Sequence, residues 1–302
     1  MRFFQLIVDG RPHVAVDYND GWLRDLTSVR ASAPSTLADL FAAAEAAGGR
    51  VDRLAASILA EANAGTYELA AVEKDMRAGE RGLRLAVPLR PAEVWCAGVT
   101  YRRSMEERTE ESQTPDVYTR VYGAERPELF LKDSGHRVVG PFDDVGVRGD
   151  AAWSVPEPEL AFVIHGGRIA GYTIGNDVSS RDIEGENPLY LAQAKVYERS
   201  CAIGPCFVPA ESLADPQALS IAMTIERAGT EVFAGETDTA QMVRTCTELC
   251  SWLVRHNPVP DGTVLLTGTG IVPDADFTLM PGDVVRINID GIGTLENGVR
   301  AV

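Results

Sequence analysis

Short apolar runs separated by polar residues make up most of this chain. Residues 1–28 alternate like strands with turns at DGRP and NDG, and SAPSTLADLFAAAEAAGG predicts a capped helix that a Gly-Gly pair ends. A second helix is predicted near Val51–Ala64, and after it come strand-like runs such as ELAFVI, IAGYTIG and TVLLTG. The pattern predicts an α+β, β-rich fold, with a small N-terminal α+β domain at 1–85 and a catalytic domain at 86–302.

Residues 101–127 interrupt this pattern with YRRSMEERTEESQTPDVYTRVYGAERP, which is polar, charged and placed between two strand signals. Connections of this length in a compact domain are usually lids or binding loops. We therefore expect this segment to cover a site. The alternative is a solvated, charged helix without a role.

Two glutamates stand at the start of the apolar run ELAFVI. Glu157 and Glu159 are separated by one residue in WSVPEPELAFVI. Because side chains alternate across a strand, both carboxylates project from the same face. Two anions at the edge of a core repel one another and lose hydration, and a divalent cation is the usual compensation.

The HGGR turn at 165–168 joins this strand to IAGYTIGND, which predicts an antiparallel hairpin. A three-residue loop or a bulge places Asp177 opposite Glu157, whereas a regular two-residue loop points Asp177 to the other face. Two glutamates and one aspartate select a hard cation, Mg²⁺ first and Mn²⁺ or Ca²⁺ next. The alternative is that the glutamates pair with Arg181 or Lys195, or cap backbone groups at a loop.

Charge and composition limit the classes of partner that this protein can bind. The formal net charge is −16, with 44 acidic and 28 basic residues, and this surface repels the phosphate backbone of nucleic acid. A small organic anion is repelled as well, unless a cation reverses the field inside the site. No apolar segment reaches the roughly 18 residues that a membrane span needs, and MRFFQLIVDG lacks the pattern of a signal peptide. We expect a cytoplasmic protein that binds neither membrane nor nucleic acid.

Four motifs occur in a characteristic order: GVTY at 98–101, PEPEL, NDVSSRDIE at 176–184 and TGTGIV at 267–272. Together they resemble the fumarylacetoacetate hydrolase superfamily. The resemblance implies the mixed β-sandwich roll of that family, as a homodimer or homotetramer. It also implies that Mg²⁺, or Mn²⁺ or Ca²⁺, is held by Glu157, Glu159 and Asp177. Arg181 and Lys195 occupy the positions of the family's motif arginine and downstream lysine.

One departure separates this chain from the hydrolytic members. Those members carry a histidine three residues after the motif tyrosine, paired with a glutamate, and the pair activates water. Here Ser104 stands in the histidine's place and Glu107 matches the glutamate, yet serine is no base near neutral pH. The segments GENPLYLAQAKVYERSCAIGP and RPELFLK resemble the 2-keto-3-deoxy-pentonate dehydratase branch instead. That resemblance makes Glu128 the catalytic carboxylate.

The resulting hypothesis is a metal-dependent hydro-lyase that acts on a 2-oxo acid. It converts a 2-keto-3-deoxy-D-pentonate to 2-oxoglutarate semialdehyde, with the metal on the 1-carboxylate and 2-oxo group and Glu128 as acid and base. Lys195 is the second catalytic residue, and the expected substrate-binding residues are Arg181, Lys132, Thr269, Ser104 and Glu107. One alternative is a hydrolase or decarboxylase of a β-diketo acid on the same metal platform. Another is a metal-binding scaffold without catalysis.

Overall fold

The computed structural model describes residues 1–80, 82–111 and 114–302. Within these ranges the chain forms the strands β1 (Arg2–Val8), β2 (Arg11–Asp17), β3 (Trp22–Asp25), β4 (Gly65–Glu68), β5 (Leu83–Ala86), β6 (Val94–Gly98), β7 (Glu128–Asp133), β8 (Val145–Val147), β9 (Ser154–Val155), β10 (Pro158–His165), β11 (Arg168–Asp177), β12 (Ser179–Ser180), β13 (Cys201–Pro209), β14 (Ser220–Arg227), β15 (Thr230–Asp238), β16 (Thr263–Leu266), β17 (Val284–Ile289) and β18 (Gly293–Ala301). The α-helices are α1 (Leu37–Ala46), α2 (Val51–Leu59), α3 (Leu69–Arg77), α4 (Arg102–Glu111), α5 (Pro115–Tyr122), α6 (Arg181–Glu186), α7 (Leu191–Lys195) and α8 (Cys246–Val254). The predicted strand-rich α+β architecture is confirmed.

A large, mostly antiparallel sheet forms the main layer, in the order β4-β3-β2-β1-β13-β11-β10-β16-β6-β7 with β5 also paired to β1. The N-terminal strands join the others where β1 pairs with β13, with Phe3 opposite Phe207. Strands from both sides of residue 85 therefore belong to one hydrogen-bonded sheet. The division of the chain into two domains near that residue stays a prediction.

A second sheet, in the order β15-β14-β17-β18-β8, has five strands and supplies the other side of the core. Alternate residues of β14 are buried, as expected for a strand with one face in the core. Ile221 and Ile225 of this strand belong to the same apolar cluster as Leu160 and Phe162 of β10. Packing between the two sheets thus leaves β10 deep inside the protein.

The predicted helix before the Gly-Gly pair is confirmed as α1. Thr36 caps it by accepting a hydrogen bond from the backbone N–H of Asp39, whose side chain accepts one from Thr36 N–H in return. The predicted second helix is shorter than expected and ends at Leu59. Among the described residues, no helix is both long enough and apolar enough to cross a membrane.

The β10–β11 hairpin resolves the question of register. Its turn has two residues, Gly166 and Gly167, and both have positive φ values of 58° and 70°, as tight hairpin turns require. The strand pairing then shifts between Val163 and Ile164, which is a β-bulge. The bulge compensates for the short turn, so Asp177 lies opposite Glu157 and donates its backbone N–H to the Glu157 carbonyl at 3.0 Å.

Candidate active site

Three carboxylates meet at the open end of the hairpin. Glu157 immediately precedes β10, Glu159 lies within it, and Asp177 ends β11. One carboxylate oxygen from each lies within 4.8 Å of the others, and all three side chains are buried. The sequence prediction that these side chains converge is confirmed in geometry, because the bulge supplies the register that the prediction required.

Cations surround two of these carboxylates. Lys195, the last residue of α7, donates to Glu157 Oε2 at 2.7 Å and to Asp177 Oδ2 at 3.0 Å. Lys132 Nζ lies 2.5 Å from Asp177 Oδ1, and Arg181 Nη2 lies 3.0 Å from Glu157 Oε1. The ion pairs with Lys195 and Arg181 that the sequence offered as an alternative are therefore present, while the metal site stays a prediction.

Glu159 differs from its neighbours. It accepts a hydrogen bond from the backbone N–H of Gly268, and within the described ranges no arginine or lysine pairs with it. Burial, and then the neighbouring Asp177 and Glu157, raise the pKa of Glu159 well above its ordinary value. A buried carboxylate crowded by two others, in an all-oxygen set, is the environment that a hard dication stabilises. The residues present therefore fit Mg²⁺, Mn²⁺ or Ca²⁺.

Glu157 has the opposite electrostatic environment. Burial acts to raise its pKa, but Lys195, Arg108 and Arg181 outweigh burial and hold the pKa below the ordinary glutamate value. Lys195 is likewise buried, which acts to lower its pKa, while Asp177 and Glu157 raise it above the ordinary lysine value. This lysine is therefore a protonated cation that orients the carboxylates.

The three carboxylates form the floor of a cavity. Its other lining residues are Ala97, Gly98, Val99, Ser104, Arg108, Tyr118, Glu128, Phe130, Glu184, Lys195, Gly268 and Thr269. These residues come from β6, β7, α6, α7, the polar segment at 101–127 (the lid) and the TGTG segment at 267–270. The cavity is therefore assembled from parts of the chain that are far apart in sequence.

Glu128, at the start of β7, lies on the wall of this cavity as predicted. A Cβ atom on Gly98 would lie 2.1 Å from Glu128 Oε2, so the carboxylate needs a glycine at this position. Burial, followed by the nearby Glu184, raises the pKa of Glu128, whereas Arg108 and Lys195 act to lower it. A carboxyl group with a raised pKa is suited to both acid and base roles.

The TGTG segment shapes the opposite wall. Gly268 has φ of +92°, and a Cβ there would lie 2.1 Å from Thr100 Oγ1. This close approach aims the Gly268 N–H at Glu159. Thr269 lines the cavity as predicted, and its hydroxyl donates to the Ile271 carbonyl at 3.1 Å.

The polar segment is a pair of helices, α4 and α5, rather than an irregular loop; its residues 112 and 113 lie outside the described residues. Ser104 and Tyr118 line the cavity, which supports the lid interpretation. Glu107 is not among the described residues that line the cavity. Its carboxylate pairs with Arg103 of the same helix at 2.5 Å. The lid residue that reaches the carboxylates is Arg108, four positions after Ser104.

Lys132 and Arg181 also differ from their expected placement. Both side chains are buried behind the carboxylates, and neither belongs to the described cavity wall. Lys132 contacts Asp177 and Arg181 contacts Glu157, so both cations hold carboxylates of the cluster in place. Their predicted role in substrate binding stays a prediction.

Sequence reasoning gave no role to Arg108 and Glu184, a charged pair in the cavity wall. Arg108 donates to Glu157 Oε1 at 2.7 Å and to Glu184 Oε2 at 2.6 Å. The signal for Arg108 was its spacing of four residues from Ser104, which puts both on one face once residues 102–111 are taken as a helix. Glu184 stood within the NDVSSRDIE motif without an assigned role.

The fold and the carboxylate cluster define the class of protein. The family model described as "Fumarylacetoacetate (FAA) hydrolase C-terminal" matches residues 93–300. The chain belongs to this family, and the resemblance inferred from its motifs is confirmed.

Two individual relatives indicate a branch within this family. The chain is 48% identical over 302 residues, covering 100% of both chains, to a protein of Haloferax volcanii named "Probable 2-keto-3-deoxyxylonate dehydratase". It is 44% identical over 223 residues to the "2-dehydro-3-deoxy-D-arabinonate dehydratase" of Saccharolobus solfataricus, covering 72% of this chain and 75% of the relative. Similarity to the dehydratase branch is therefore confirmed.

A solved structure completes the comparison. A 2-keto-3-deoxy-D-arabinonate dehydratase complexed with magnesium and 2,5-dioxopentanoate aligns with a TM-score of 0.80 and 33% sequence identity, covering 100% of this chain and 99% of that one. The expected fold of the fumarylacetoacetate hydrolase type is thereby confirmed.

Proposed function

We propose that this protein is an Mg²⁺-dependent hydro-lyase that converts a 2-keto-3-deoxy-D-pentonate to 2-oxoglutarate semialdehyde. The observation that carries the proposal is the placement of Glu128 in the same buried cavity as Glu157, Glu159 and Asp177. The names of the two dehydratase relatives support it, as does the 2,5-dioxopentanoate of the solved relative, which is the same compound as the proposed product.

The proposed metal residues are Glu157, Glu159 and Asp177, which fit Mg²⁺ and also Mn²⁺ or Ca²⁺. When bound, this cation supplies a Lewis acid for the 1-carboxylate and 2-oxo group of the substrate. A local positive charge also offsets the repulsion between an anionic substrate and a protein with a net charge of −16.

Glu128 performs the proton transfers in this proposal. Its carboxylate takes a proton from carbon 3, and the resulting carboxylic acid returns that proton to the hydroxyl that leaves carbon 4. One water is lost, and a carbon–carbon double bond forms between carbons 3 and 4. Tautomerisation then moves a hydrogen from carbon 5 to carbon 3, which gives an enol, and the proton of the enol hydroxyl moves to carbon 4 to give the aldehyde. Burial of Glu128 favours its protonated form, which the second step uses.

Lys195 has an orienting role here. Its amine donates to Glu157, Asp177 and Ser179 and is held in the protonated form. A protonated amine is no nucleophile, so the arrangement does not favour Schiff-base chemistry. Lys195 fixes the two carboxylates and presents positive charge to the cavity.

The remaining predicted residues fall into two groups. Ser104 and Thr269 lie on the cavity wall and are proposed to contact the substrate. Lys132 and Arg181 are proposed to hold Asp177 and Glu157 in position from behind. Glu107 pairs with Arg103 and receives no role in binding.

A hydrolase or decarboxylase of a β-diketo acid on the same platform is the alternative chemistry. It needs a group that activates water, and no histidine lines the cavity in the part of the chain that the structure describes. His136, in KDSGHRVVG, lies outside the cavity lining, is exposed and contacts Ser134. This arrangement favours dehydration.

The test is to give the purified protein and Mg²⁺ a panel of 2-keto-3-deoxy acids with five and six carbons, and to follow the semialdehyde by NMR. We expect the semialdehyde from five-carbon substrates and none after chelation of the metal. A parallel assay follows the ultraviolet absorbance of a β-diketo acid. Loss of that absorbance with no semialdehyde from any keto-deoxy acid would refute the proposal.

The predicted assembly and location complete the proposal. We expect a homodimer or homotetramer in the cytoplasm that acts on a small 2-oxo acid. Sedimentation of the purified protein would test the assembly.

A further inference from the structure

The lid carries one arginine that behaves differently from the others on it. We propose that Arg108 is a positioning residue that holds helix α4 over the cavity by pairing with Glu184. The effect on turnover rests on the proposed function, whereas the effect on the lid does not.

Exposure sets Arg108 apart from other basic residues of the lid. The side chains of Arg102 and Arg120 are 77% and 80% exposed, whereas that of Arg108 is 8% exposed. A guanidinium loses hydration on burial, and this is compensated only by charged partners in good geometry. Its two contacts with carboxylates, at 2.6 and 2.7 Å, supply that compensation. The lid is therefore attached to the cavity by a buried ionic contact.

The two carboxylates that Arg108 contacts are not equivalent. Glu157 also pairs with Arg181 and Lys195, so it keeps cationic partners when the lid moves away. For Glu184, in contrast, Arg108 is the sole arginine or lysine ion-pair partner in the described ranges. Opening the lid separates Glu184 from this partner, so the energy of a buried ion pair is lost. Glu184 is thus the anchor, and the Glu157 contact is redundant.

The position of the Arg108–Glu184 pair affects access to the inner cavity. The inner cavity adjoins an outer pocket, and the two share Tyr118, Glu128 and Glu184 among their lining residues. The Arg108–Glu184 pair lies at this boundary, beside the proposed catalytic carboxylate. When the pair forms, α4 keeps Ser104 and Arg108 against the inner cavity. Closure of this kind excludes water and fixes reacting groups.

Hydrogen exchange of the lid tests the pairing without any substrate. The variants are Arg108→Ala, Glu184→Ala and the double variant, with Arg102→Ala as the matched control on the same helix. With Mg²⁺ present, we expect the α4 amides of each single variant to exchange about tenfold faster or more. The double variant should be no faster than either single one, because both changes remove the same contact. Unchanged exchange in Arg108→Ala, additive effects, or equal acceleration in β10 and β11 would overturn the proposal.

Kinetics and metal binding supply the second readout. In Arg108→Ala we expect turnover to fall about tenfold and to recover in part when guanidinium is added at a concentration that does not denature the protein. Affinity for Mn²⁺ should stay within about threefold of the original, because Glu157 keeps its other cations. Loss of Mn²⁺ binding, or no recovery with guanidinium, would contradict the positioning role. If the unmodified protein forms no semialdehyde, the proposed function fails while the exchange experiment still decides the role of Arg108.

Discussion

The floor and the lid of the cavity are built in opposite ways. The floor stands on β10 and β11, whose residues are almost all buried and are hydrogen-bonded to strands on both sides. The lid is a pair of polar helices in which few side chains point inward. Ligands for a metal need positions fixed to a fraction of an ångström, and a central hairpin supplies them. Entry of substrate needs a part of the protein that opens at little cost, and helices attached by few contacts meet that need.

Charge is distributed differently as well. On the floor, Glu157 and Asp177 have cations fixed around them, while Glu159 has carboxylate neighbours. On the lid, ion pairs such as Arg120–Asp116 are solvent-exposed helix pairs, which contribute little to stability. Electrostatic strain is therefore concentrated at one floor residue, which is where the proposed metal relieves it.

The largest effect is expected for Glu159→Gln. Turnover should fall by more than about 10³-fold, because the variant loses a ligand of the Lewis acid. Mg²⁺ should no longer raise the melting temperature, as it does when a ligand binds the folded state alone. Without metal, the variant should melt roughly 2–4 °C higher, since repulsion on the floor is relieved. Thermal unfolding with and without Mg²⁺ measures both effects, with exposed Glu231→Gln as control. Undiminished stabilisation by Mg²⁺ would remove Glu159 from the ligand set.

The next largest effect is expected from core packing, which differs between the floor and the lid. Phe162 on β10 is fully buried, so Phe162→Ala should lower the free energy of unfolding by about 3–5 kcal/mol. Val117 on α5 is 47% exposed, and Val117→Ala should change the free energy of unfolding by no more than about 0.5 kcal/mol. Denaturant unfolding measures the two values. Similar losses for both variants would show that the lid is packed as firmly as the floor.

Glu128→Gln tests the proposed acid–base residue in the cavity between the floor and the lid. Turnover should fall about 10²-fold or more while Mn²⁺ affinity is retained, because the change removes an acid–base group and no ligand. Burial raises the pKa of Glu128, so the original rate should fall as pH drops through a value above the ordinary glutamate pKa of about 4.3. The variant should lack this acid limb. A variant that stays fully active has no catalytic group at this position.

The smallest effect is expected for Gly98→Ala. The added methyl group would displace the Glu128 carboxylate, and turnover should fall between about tenfold and 10²-fold. Gly82→Ala is the matched control, because a Cβ there has nothing within 4 Å. Steady-state kinetics and a melting curve suffice for both variants. Equal turnover in Gly98→Ala and in the control would mean that Glu128 does not need its present position.

Much of the floor was predictable from local sequence. The Glu-x-Glu spacing placed Glu157 and Glu159 on one face, since alternation along a strand does not depend on its neighbours. The position of Asp177 was conditional, because a two-residue turn and a three-residue turn give opposite parity. Only the bulge near Val163, which forms where two strands meet, decided between them.

The lid was harder to predict. Its polar composition indicated a cover, and Ser104 was correctly placed at the cavity. Glu107 was named from a motif position and Arg108 received no role, whereas the pitch of α4 turns Arg108 inward. Lys132 contacts Asp177, a pairing between segments remote in sequence that no local pattern indicated.

The sequence by itself determined the chemistry available: three carboxylates, a strand-rich fold, the family, and the missing lid histidine. These follow from residue types and their spacing along one chain segment. The tertiary structure alone decided which cations neutralise which carboxylates, that Gly98 gives space to Glu128, and that Arg108 joins the lid to Glu184. Such pairings depend on turn length, bulges and helix rotation, which set distances between segments that are remote in sequence and leave no local pattern.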